Sequence, residues 1–386
     1  MSSLRIGIIA AEPSGDLLAA GLMKALRDEL PDVQFEGVAG PLMQAEGVDT
    51  WESMDKLSVM GLFEVLQHLP RLLRLRAGLL RRWRDTPPAA FIGVDAPDFN
   101  LKVETELREA GIPTVHYVSP TVWAWRSGRV KTIRRAVDLL LTLFPFETDF
   151  LKRHGVQSHY VGHPLACRMP IEPDQQAARE ELGLNPGQPV LAVLPGSRRG
   201  EVGRLARPFL QTALALQQQI DGLQVVIPLV SDVTRGMLEG VMQNETPALH
   251  ANVSIGTSRA ALAAADVVLV ASGTATLEAM LSKRPMVVGY KVAPATFWVA
   301  RVFKLLKVEH VALANILADE RLAPELIQSA CEPAQLLPAL RTFFDDAALR
   351  VRISARYREI HERLRTDTNR EAARAVTELL KERGLV

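Results

Sequence analysis

The sequence predicts an α/β protein with two domains, each built on a mainly parallel sheet, and three observations support this prediction. Short apolar runs alternate with longer helical patterns from residue 4 onward, as in successive βαβ units. Residues 165–189 interrupt the alternation with four prolines, which is typical of a linker. The alternation restarts at residue 190, and a chain of 386 residues is long enough for two domains. We therefore expect two Rossmann-like domains facing across a cleft, over 1–168 and 169–345, and a helical tail over 346–386.

The first half contains five short runs that are predicted as strands, because they are too short for most helices. These predicted strands are 4–9, 34–38, 89–95, 113–118 and 137–143, and the segment 158–161 leads into 162–164. Helices are predicted over 17–30, where Pro31 ends the pattern, over 60–83, and from the loop at 96–100 to residue 110. The second half has predicted strands at 190–194, 223–228, 253–255, 266–270 and 285–288, with helices at 205–220, 259–264 and 275–283.

Two turns of the second half are candidates for binding a phosphate. The strand 266–270 runs into Ser272, Gly273 and Thr274 and then into a helix, whose first N–H groups and positive dipole end suit an anion. Glu278 lies one turn into that helix, within reach of a ribose. The turn at 195–201 contains Gly196, Ser197 and Arg198, where another helix should begin. Taken alone, either turn is also consistent with an ordinary strand-to-helix connection.

Polar residues follow the predicted strands of the first half. Asp95 ends one strand, and ligands of open α/β sheets bind at that end, although Asp95 or Asp98 could instead only cap the next helix. The turn after the first strand and the loop after 113–118 add further polar and aromatic residues. They are Glu12, Ser14, Gly15 and Asp16 in the turn, and Trp123, Trp125 and Arg126 in the loop, which could stack on a sugar, line an acyl-chain entrance or fill the domain core.

The predicted helix 60–83 is rich in leucine and arginine, and no acidic residue occurs from 66 to 84. A basic amphipathic helix of this kind can lie on an anionic membrane surface, but the same pattern also fits a helix packed on the sheet with solvated arginines. The candidate membrane-contacting residues are Leu62, Leu66, Leu69, Leu72, Leu73, Arg71, Arg74 and Arg76.

Composition and absent motifs exclude several classes of function. The net charge of +1 gives no electrostatic case for nucleic acid, and the two cysteines have no metal-binding spacing and fit a reducing cytosol. No signal peptide precedes the first strand, and no apolar run reaches the roughly 20 residues of a membrane span. The GxGxxG, GxxxxGK[ST], HExxH and GxSxG motifs are absent, which disfavours dinucleotide oxidoreductases, P-loop enzymes, zincins and serine hydrolases.

Two Rossmann-like halves without a dinucleotide fingerprint form the pattern of a two-domain glycosyltransferase. The chain resembles the lipid-A-disaccharide synthases, an inverting family with the GT-B fold. The matching segments are Glu12-x-Ser14-Gly15-Asp16, 37–41, 59–61, Asp95-Ala96-Pro97-Asp98-Phe99-Asn100, 116–120, Trp123-Ala124-Trp125-Arg126, 162–163, 194–198, 271–278, 285–290 and Asn315.

The resemblance implies UDP-2,3-diacylglucosamine as donor and 2,3-diacylglucosamine 1-phosphate as acceptor, with a β-1',6-linked disaccharide 1-phosphate and UDP as products. It implies that Asp95 is the general base, with Asp98 supporting it, and that Arg198, Glu278 and Asn315 bind the UDP part. We assign the diphosphate to Arg198 and the ribose to Glu278. No metal or cofactor is expected, and the enzyme should be cytoplasmic and peripherally attached to the inner membrane.

Two departures from the family pattern and several alternatives stay open at this point. Ala11 stands where the family commonly has Gly, and Ala314 where a proline often precedes the Asn. A UDP-N-acetylglucosamine 2-epimerase, or the transferase of lipid-linked peptidoglycan precursors, would share the fold. A non-catalytic UDP-sugar or lipid sensor at the membrane is an alternative of another class. The helical tail could cross back to the first domain or exchange between protomers of a homodimer.

Overall fold

The computed structural model describes residues 4–57, 62–120, 128–292 and 310–386, with the backbone alone for 62–68. The chain divides into two compact units, Met1–Cys167 with Arg365–Val386, and Arg168–Leu364. Each unit carries one parallel sheet with helices around it. The predicted α/β class with two Rossmann-like sheets is therefore confirmed.

The first unit has a seven-stranded sheet in the order β3-β2-β1-β4-β5-β6-β7. Its strands are β1 Arg5–Ala10, β2 Gln34–Ala39, β3 Asp49–Ser53, β4 Ala90–Val94, β5 Thr114–Tyr117, β6 Leu139–Thr142 and β7 Ser158–Tyr160. The strand order reverses between β1 and β4, which pair directly up to Ala10 and Val94. Such a switch point opens a crevice at the carboxyl ends of the two strands, where ligands of open α/β sheets bind.

Helices cover the sheet of the first unit, and the last helix of the chain is one of them. The helices are α1 Pro13–Glu29, α2 Pro41–Ala45, α3 Leu62–Asp85, α4 Pro97–Glu109, α5 Arg129–Ala136, α6 Pro145–Arg153, α7 Pro164–Arg168 and, at the C-terminus, α16 Thr368–Glu382. Helix α16 packs against α1, and Arg383 forms an ion pair with the buried carboxylate of Asp138 at 2.8 Å. Whether α16 exchanges between protomers stays a prediction.

The second unit has a six-stranded sheet in the order β10-β9-β8-β11-β12-β13. Its strands are β8 Val190–Leu194, β9 Gln224–Leu229, β10 Ala251–Ile255, β11 Val267–Ala271, β12 Met286–Tyr290 and β13 Glu325–Ile327. The helices are α8 Gln175–Glu181, α9 Arg199–Gln219, α10 Asp232–Glu245, α11 Ser258–Ala264, α12 Thr274–Leu281, α13 Leu313–Ala318, α14 Pro333–Asp345 and α15 Ala347–Leu364. The strand order reverses between β8 and β11, so the turns after these neighbouring strands lie at one edge of the sheet.

Several elements differ from the sequence prediction. Helix α1 begins at Pro13, because proline fits the first helical position, so Ser14, Gly15 and Asp16 are helical rather than in a turn. Helix α9 likewise begins at Arg199 instead of 205. The edge strands β3, β7 and β13 were not predicted, and neither was α10, because each buries few apolar side chains and has a weak periodic signal.

The buried imidazole of His163 should make the stability of the protein sensitive to acid. His163 Nδ1 accepts the N–H of Leu165 at 3.2 Å, and burial lowers the pKa of His163 to about 4. The folded state thus binds fewer protons than the unfolded state between about pH 4 and 6.5, so stability is lost as the pH falls through this window, by up to about 3 kcal/mol. Urea unfolding at several pH values measures the slope. His163→Asn keeps an acceptor for the Leu165 N–H, so it should flatten the slope; an unchanged slope would assign the acid sensitivity to other groups.

Candidate active site

The carboxyl edge of the first sheet holds backbone in an unusual conformation. Asp95 and Ala96, directly after β4, have φ of 53° and 43°, and Val118, after the neighbouring strand β5, has φ of 82°. Left-handed backbone is uncommon outside glycine and is most costly for a β-branched residue such as Val118. Strain of this kind concentrates at functional sites, and this edge is therefore the candidate site of the first unit.

Neighbouring groups hold Asp95 in place through its backbone. Its N–H donates to the carbonyl of Tyr117 at 2.8 Å, and its own carbonyl accepts from Asn100 Nδ2 at 2.8 Å. The same Asn100 amide reaches the carbonyl of Val94 at 3.3 Å. The Asp95 carboxylate is half-buried, and no donor among the described residues reaches it. The backbone of Asp95 is thus held in place, and its carboxylate has no hydrogen-bond donor among the described residues, as a candidate general base requires.

A buried Glu–His pair lies beneath this edge, and sequence reasoning missed it. Glu104 on α4 and His116 on β5 have no exposed surface, and their Oε1 and Nδ1 atoms are 2.7 Å apart. Burial raises the pKa of Glu104, while His116 opposes the rise. Gly93 on β4 makes room, because a Cβ there would lie 2.1 Å from Glu104 Oε1. The one signal in the sequence was a glycine inside an apolar strand, which indicates a close approach.

The turn after β1 contributes two accessible groups. Glu12 and Ser14 are exposed at the start of α1, and Gly15 packs near the carbonyl of Val94. Asp16 is buried, and its two oxygens accept the N–H groups of Leu42 and Met43 at 2.9 and 3.0 Å, so it caps α2 rather than lining the crevice. Ala11 has no left-handed backbone, so this position does not require the family's glycine.

Two other predictions for the first unit have different outcomes. Asp98 is exposed and forms an ion pair with Arg129, so the structure gives it a partner other than Asp95. The predicted residues Trp123, Trp125 and Arg126 lie outside the described residues.

The turn after β11 in the second unit is open. Gly273 has φ of 150°, and a Cβ built there meets nothing within 4 Å. Helix α12 begins at Thr274 without a side-chain cap, and Ser272 is half-buried beside it. The first N–H groups of α12 are therefore unoccupied by any described side chain, as an anion-binding helix start requires.

The turn after β8 has a local acidic partner that the sequence did not predict. The carboxylate of Glu201 accepts the N–H groups of Ser197 and Arg198 at 3.1 and 3.2 Å, and Gly196 leaves room for the Glu201 side chain. Glu201 thus satisfies two backbone N–H groups that directly precede the first helical residue of α9. The Arg198 side chain is exposed and has no ion pair among the described residues, and its contact with a diphosphate stays a prediction.

The two other residues predicted to bind the UDP part, Glu278 and Asn315, lie in different environments. Glu278 on α12 is half-buried, and burial raises its pKa although Arg259 opposes the rise. Asn315 is fully buried: its Nδ2 donates to the Ala323 carbonyl and to Glu325, at 2.8 and 2.9 Å, and its Oδ1 accepts from the Ala323 N–H. Asn315 therefore positions Glu325, which accepts the N–H groups of Val311 and Ala312. Ala314 lies in the first turn of α13, where a proline would also be tolerated.

Replacing Asn315 should cost stability rather than only ligand affinity. Asn315→Ala leaves the Ala323 N–H and part of the Glu325 carboxylate without their partner, at a cost of about 1–3 kcal/mol in the free energy of unfolding. The exposed Asn244, which donates only to the Gly240 carbonyl, is the matched control, and Asn244→Ala should cost much less. Urea unfolding of both variants measures the difference. Equal small effects would show that the Asn315 contacts do not stabilise the unit.

Helix α3 carries the predicted membrane-contacting residues. Leu69 and Leu73 are 42% and 43% exposed, Leu72 is half-buried, Arg71 and Arg74 are exposed, and Arg76 is half-buried. The side chains of Leu62 and Leu66 lie outside the described residues. Within the described residues, no helix combines the length and apolarity needed to cross a membrane, and no group of three or more His, Cys, Asp or Glu side chains could hold a metal ion.

Comparison with solved structures supports the fold. The chain is similar to a glycosyltransferase from Rickettsia africae, with a TM-score of 0.60, 10% identity and coverage of 99% of both chains. It is also similar to a UDP-GlcNAc 2-epimerase from Neisseria meningitidis bound to UDP-GlcNAc, with a TM-score of 0.58, 11% identity and coverage of 98% and 99%. These similarities show the GT-B type of α/β fold.

Comparison of sequences identifies the family. The model of the family described as lipid-A-disaccharide synthetase matches residues 6–379. The lipid-A-disaccharide synthase of Pseudoalteromonas translucida is 49% identical over 98% of this chain and 97% of its own length. That of Yersinia pseudotuberculosis is 46% identical over 97% and 95%. The chain belongs to the lipid-A-disaccharide synthase family.

Proposed function

We propose that the protein transfers 2,3-diacylglucosamine from UDP-2,3-diacylglucosamine to the 6-hydroxyl of 2,3-diacylglucosamine 1-phosphate. The products are the β-1',6-linked disaccharide 1-phosphate and UDP. The similarity to the named synthases, which runs along nearly the whole chain, is the observation that carries the proposal. The Asp95 carboxylate, which follows a strand end with left-handed backbone and has no hydrogen-bond donor among the described residues, supports it, since an inverting transfer needs one base at the acceptor hydroxyl.

Asp95 takes the proton of the acceptor 6-hydroxyl as that oxygen forms its bond to the anomeric carbon. The bond from this carbon to the UDP oxygen breaks on the opposite face, and its electron pair leaves with the diphosphate. The left-handed conformation at Asp95 and the hydrogen bond from Asn100 to its carbonyl position the backbone that carries the carboxylate before the substrate arrives. Such preorganisation lowers the cost of reaching the transition state.

The leaving diphosphate gains negative charge and needs donors that are already in place. Arg198 is exposed without a described ion pair, and the start of α12 at Ser272, Gly273 and Thr274 offers free N–H groups. The two turns follow neighbouring strands of one sheet, so they can act on one anion. Glu278, one turn into α12, is proposed to accept a ribose hydroxyl.

Both substrates carry acyl chains, and we place the enzyme at the cytoplasmic face of the inner membrane as a peripheral protein. The exposed Leu69 and Leu73 on α3 support this placement, because large apolar side chains gain free energy when they leave water.

Product analysis tests the proposal. The protein is incubated with the acylated donor and the acceptor, and the product is identified by its mass and by the anomeric coupling in its NMR spectrum. A β-linked disaccharide 1-phosphate is the expected product. Formation of a 2-epimer from plain UDP-N-acetylglucosamine, without any new glycosidic bond, would overturn the proposal in favour of an epimerase.

A further inference from the structure

The buried pair of Glu104 and His116 has no task in the proposed reaction. Neither side chain has any exposed surface, and Glu104 Oε1 lies 2.7 Å from His116 Nδ1. Glu104 Oε2 and His116 Nε2 are also buried, and neither atom has a hydrogen-bond partner among the described residues. Two apolar side chains of similar volume would fill the same space without the cost of taking polar groups out of water. Stability therefore does not explain the pair.

The hydrogen bond of the pair joins a helix to the sheet. Glu104 lies on α4 and His116 on β5, and α4 packs against both β4 and β5. Apolar packing has no preferred direction, whereas a hydrogen bond requires a narrow range of distances and angles. Gly93 on β4, which pairs in register with His116, has no side chain that would block Glu104. The pair thus fixes where α4 lies along the two strands.

Asn100 connects the pair to Asp95. It precedes Glu104 by four residues, so the two side chains lie on one face of α4. Both approach the same strand residue, because a Cβ built on Gly93 would lie 2.1 Å from Glu104 Oε1 and 2.9 Å from Asn100 Cβ. The Asn100 side chain is fully buried, and its Nδ2 donates to the Asp95 carbonyl at 2.8 Å. The position of α4 therefore determines whether this amide reaches the turn that carries Asp95.

The turn at Asp95 depends on such support. Asp95 and Ala96 have φ of 53° and 43°, and residues other than glycine keep a left-handed backbone only where their surroundings impose it. The Ala96 carbonyl accepts the N–H groups of Phe99 and Asn100, both at 3.0 Å, at the start of α4. A displaced helix would consequently pull on the turn, and the carboxylate of Asp95 would move with it.

The pair itself lies too far from the reacting atoms to touch them. Gly93, which Glu104 approaches, precedes Asp95 by two residues, or about 6.6 Å along a strand. Glu104 and His116 are fully buried, whereas Asp95 is half-buried. Any effect of the pair on the reaction must therefore pass through the protein to Asp95.

We propose that Glu104 and His116 are positioning residues for the transfer. Their hydrogen bond fixes α4 on the sheet, and Asn100 on α4 then holds the backbone that carries the Asp95 carboxylate. The inference rests on the proposed function, in which Asp95 is the base at the acceptor hydroxyl. Its structural half, the support of the Asp95 turn by the pair, does not need that reaction and is tested separately.

Steady-state kinetics test the proposal with a paired leucine variant, Glu104→Leu with His116→Leu. It removes both polar partners together and leaves an apolar core, so the protein should stay folded. With acylated donor and acceptor, kcat should fall by about 10- to 100-fold, as for a small misplacement of a reacting group. KM and the affinity for UDP should stay unchanged, because Asp95 acts only on the way to the transition state. The control is Thr142→Val with Thr148→Val, which removes another buried hydrogen bond of the same unit, at 2.7 Å, and should leave kcat unchanged.

Two further measurements separate positioning from charge and from general damage. Glu104→Gln keeps both a donor and an acceptor for His116 Nδ1, so it should retain most of the wild-type kcat. In an Asp95→Asn background the paired leucine variant should cause almost no further loss, because both changes act through the same group. A Glu104→Gln variant as slow as the paired leucine variant, or a full further loss in the Asp95→Asn background, would overturn the proposal.

Hydrogen exchange measures the support of the turn without any substrate. The N–H of Asp95 donates to the Tyr117 carbonyl, and those of Phe99 and Asn100 donate to the Ala96 carbonyl. In the paired leucine variant these amides should exchange about 3- to 10-fold faster, as for the loss of one hydrogen bond, while the amides of β6 keep their rates. Unchanged exchange over 95–100 would overturn the inference, whatever the activity of the wild type. Faster exchange in a protein whose wild type makes no disaccharide would instead refute the proposed function and leave the support of the turn standing.

Asn100→Leu tests the same connection from its other end. It removes the amide that links α4 to the Asp95 carbonyl, so it should give a similar loss of kcat and similarly faster exchange over 95–100. Wild-type kcat and wild-type exchange in Asn100→Leu would overturn the proposal even where the paired leucine variant does not fold.

Discussion

Replacing Asp95 by asparagine is expected to lower kcat by about 10²- to 10⁴-fold, which is the usual contribution of a general base. Asparagine is nearly isosteric and keeps the backbone hydrogen bonds to Tyr117 and Asn100, but it cannot take the proton of the acceptor hydroxyl. The left-handed backbone at this position is also tolerated by asparagine. Steady-state kinetics with acylated donor and acceptor give kcat, and calorimetric titration with UDP gives the affinity, which should stay unchanged.

Asp98→Asn is the matched control for this prediction. Asp98 lies three residues away in the first turn of α4 and is exposed in an ion pair with Arg129, so Asp98→Asn removes the same charge from the same edge of the sheet. An exposed ion pair contributes little to stability, and kcat should fall by no more than a few-fold. If Asp98→Asn lost as much activity as Asp95→Asn, the base would have to be assigned again.

Replacing Arg198 by alanine is expected to lower kcat/KM by about 10²- to 10³-fold, as for the loss of one preorganised donor to a developing negative charge. Arg198 is proposed to bind the diphosphate through its side chain, because Glu201 already accepts the backbone N–H groups of Ser197 and Arg198. UDP affinity should fall as well, since the product carries the same diphosphate. Arg198→Lys keeps the charge but not the fork of donors, and it should recover only part of the activity.

Arg199 provides the control on the same turn. It is exposed and begins helix α9 directly after Arg198, and Arg199→Ala removes an identical charge. If both alanine variants weakened UDP binding equally, the effect would come from the general positive potential of the turn and not from a contact with Arg198.

The sequence predicted the sheets because their strands are buried on both faces. The run 190–194 is continuously apolar, the predicted run 266–270 is apolar after Asp266, and the observed β8 and β11 are fully buried. Edge strands lack this signal: β3 has the sequence Asp-Thr-Trp-Glu-Ser and buries none of its side chains fully. The strong predictions and the missed elements therefore have one physical cause, which is how much apolar surface each element buries.

The position of the candidate site could be predicted from the sequence, but the contacts that hold its residues in place could not. Asp95 was found because it follows a buried strand, whereas its left-handed backbone and the buried Glu104–His116 pair depend on packing between elements. For Asp16 and Asn315 the sequence predicted a place at the site, whereas the structure gives their side chains structural hydrogen bonds. Both were predicted at the site as polar residues, and both spend their side-chain oxygens on backbone N–H groups that local sequence does not specify.

The most direct test of the account is the dependence of UDP release on the acceptor, measured in the presence of a metal chelator. Wild-type protein is given UDP-2,3-diacylglucosamine with and without 2,3-diacylglucosamine 1-phosphate, and UDP and disaccharide are quantified together. If the protein is the proposed metal-independent transferase, UDP appears only when the acceptor is present. One molecule of UDP is released for each disaccharide formed, and the chelator has no effect. UDP release that ignores the acceptor, or activity that the chelator abolishes, would contradict the proposal.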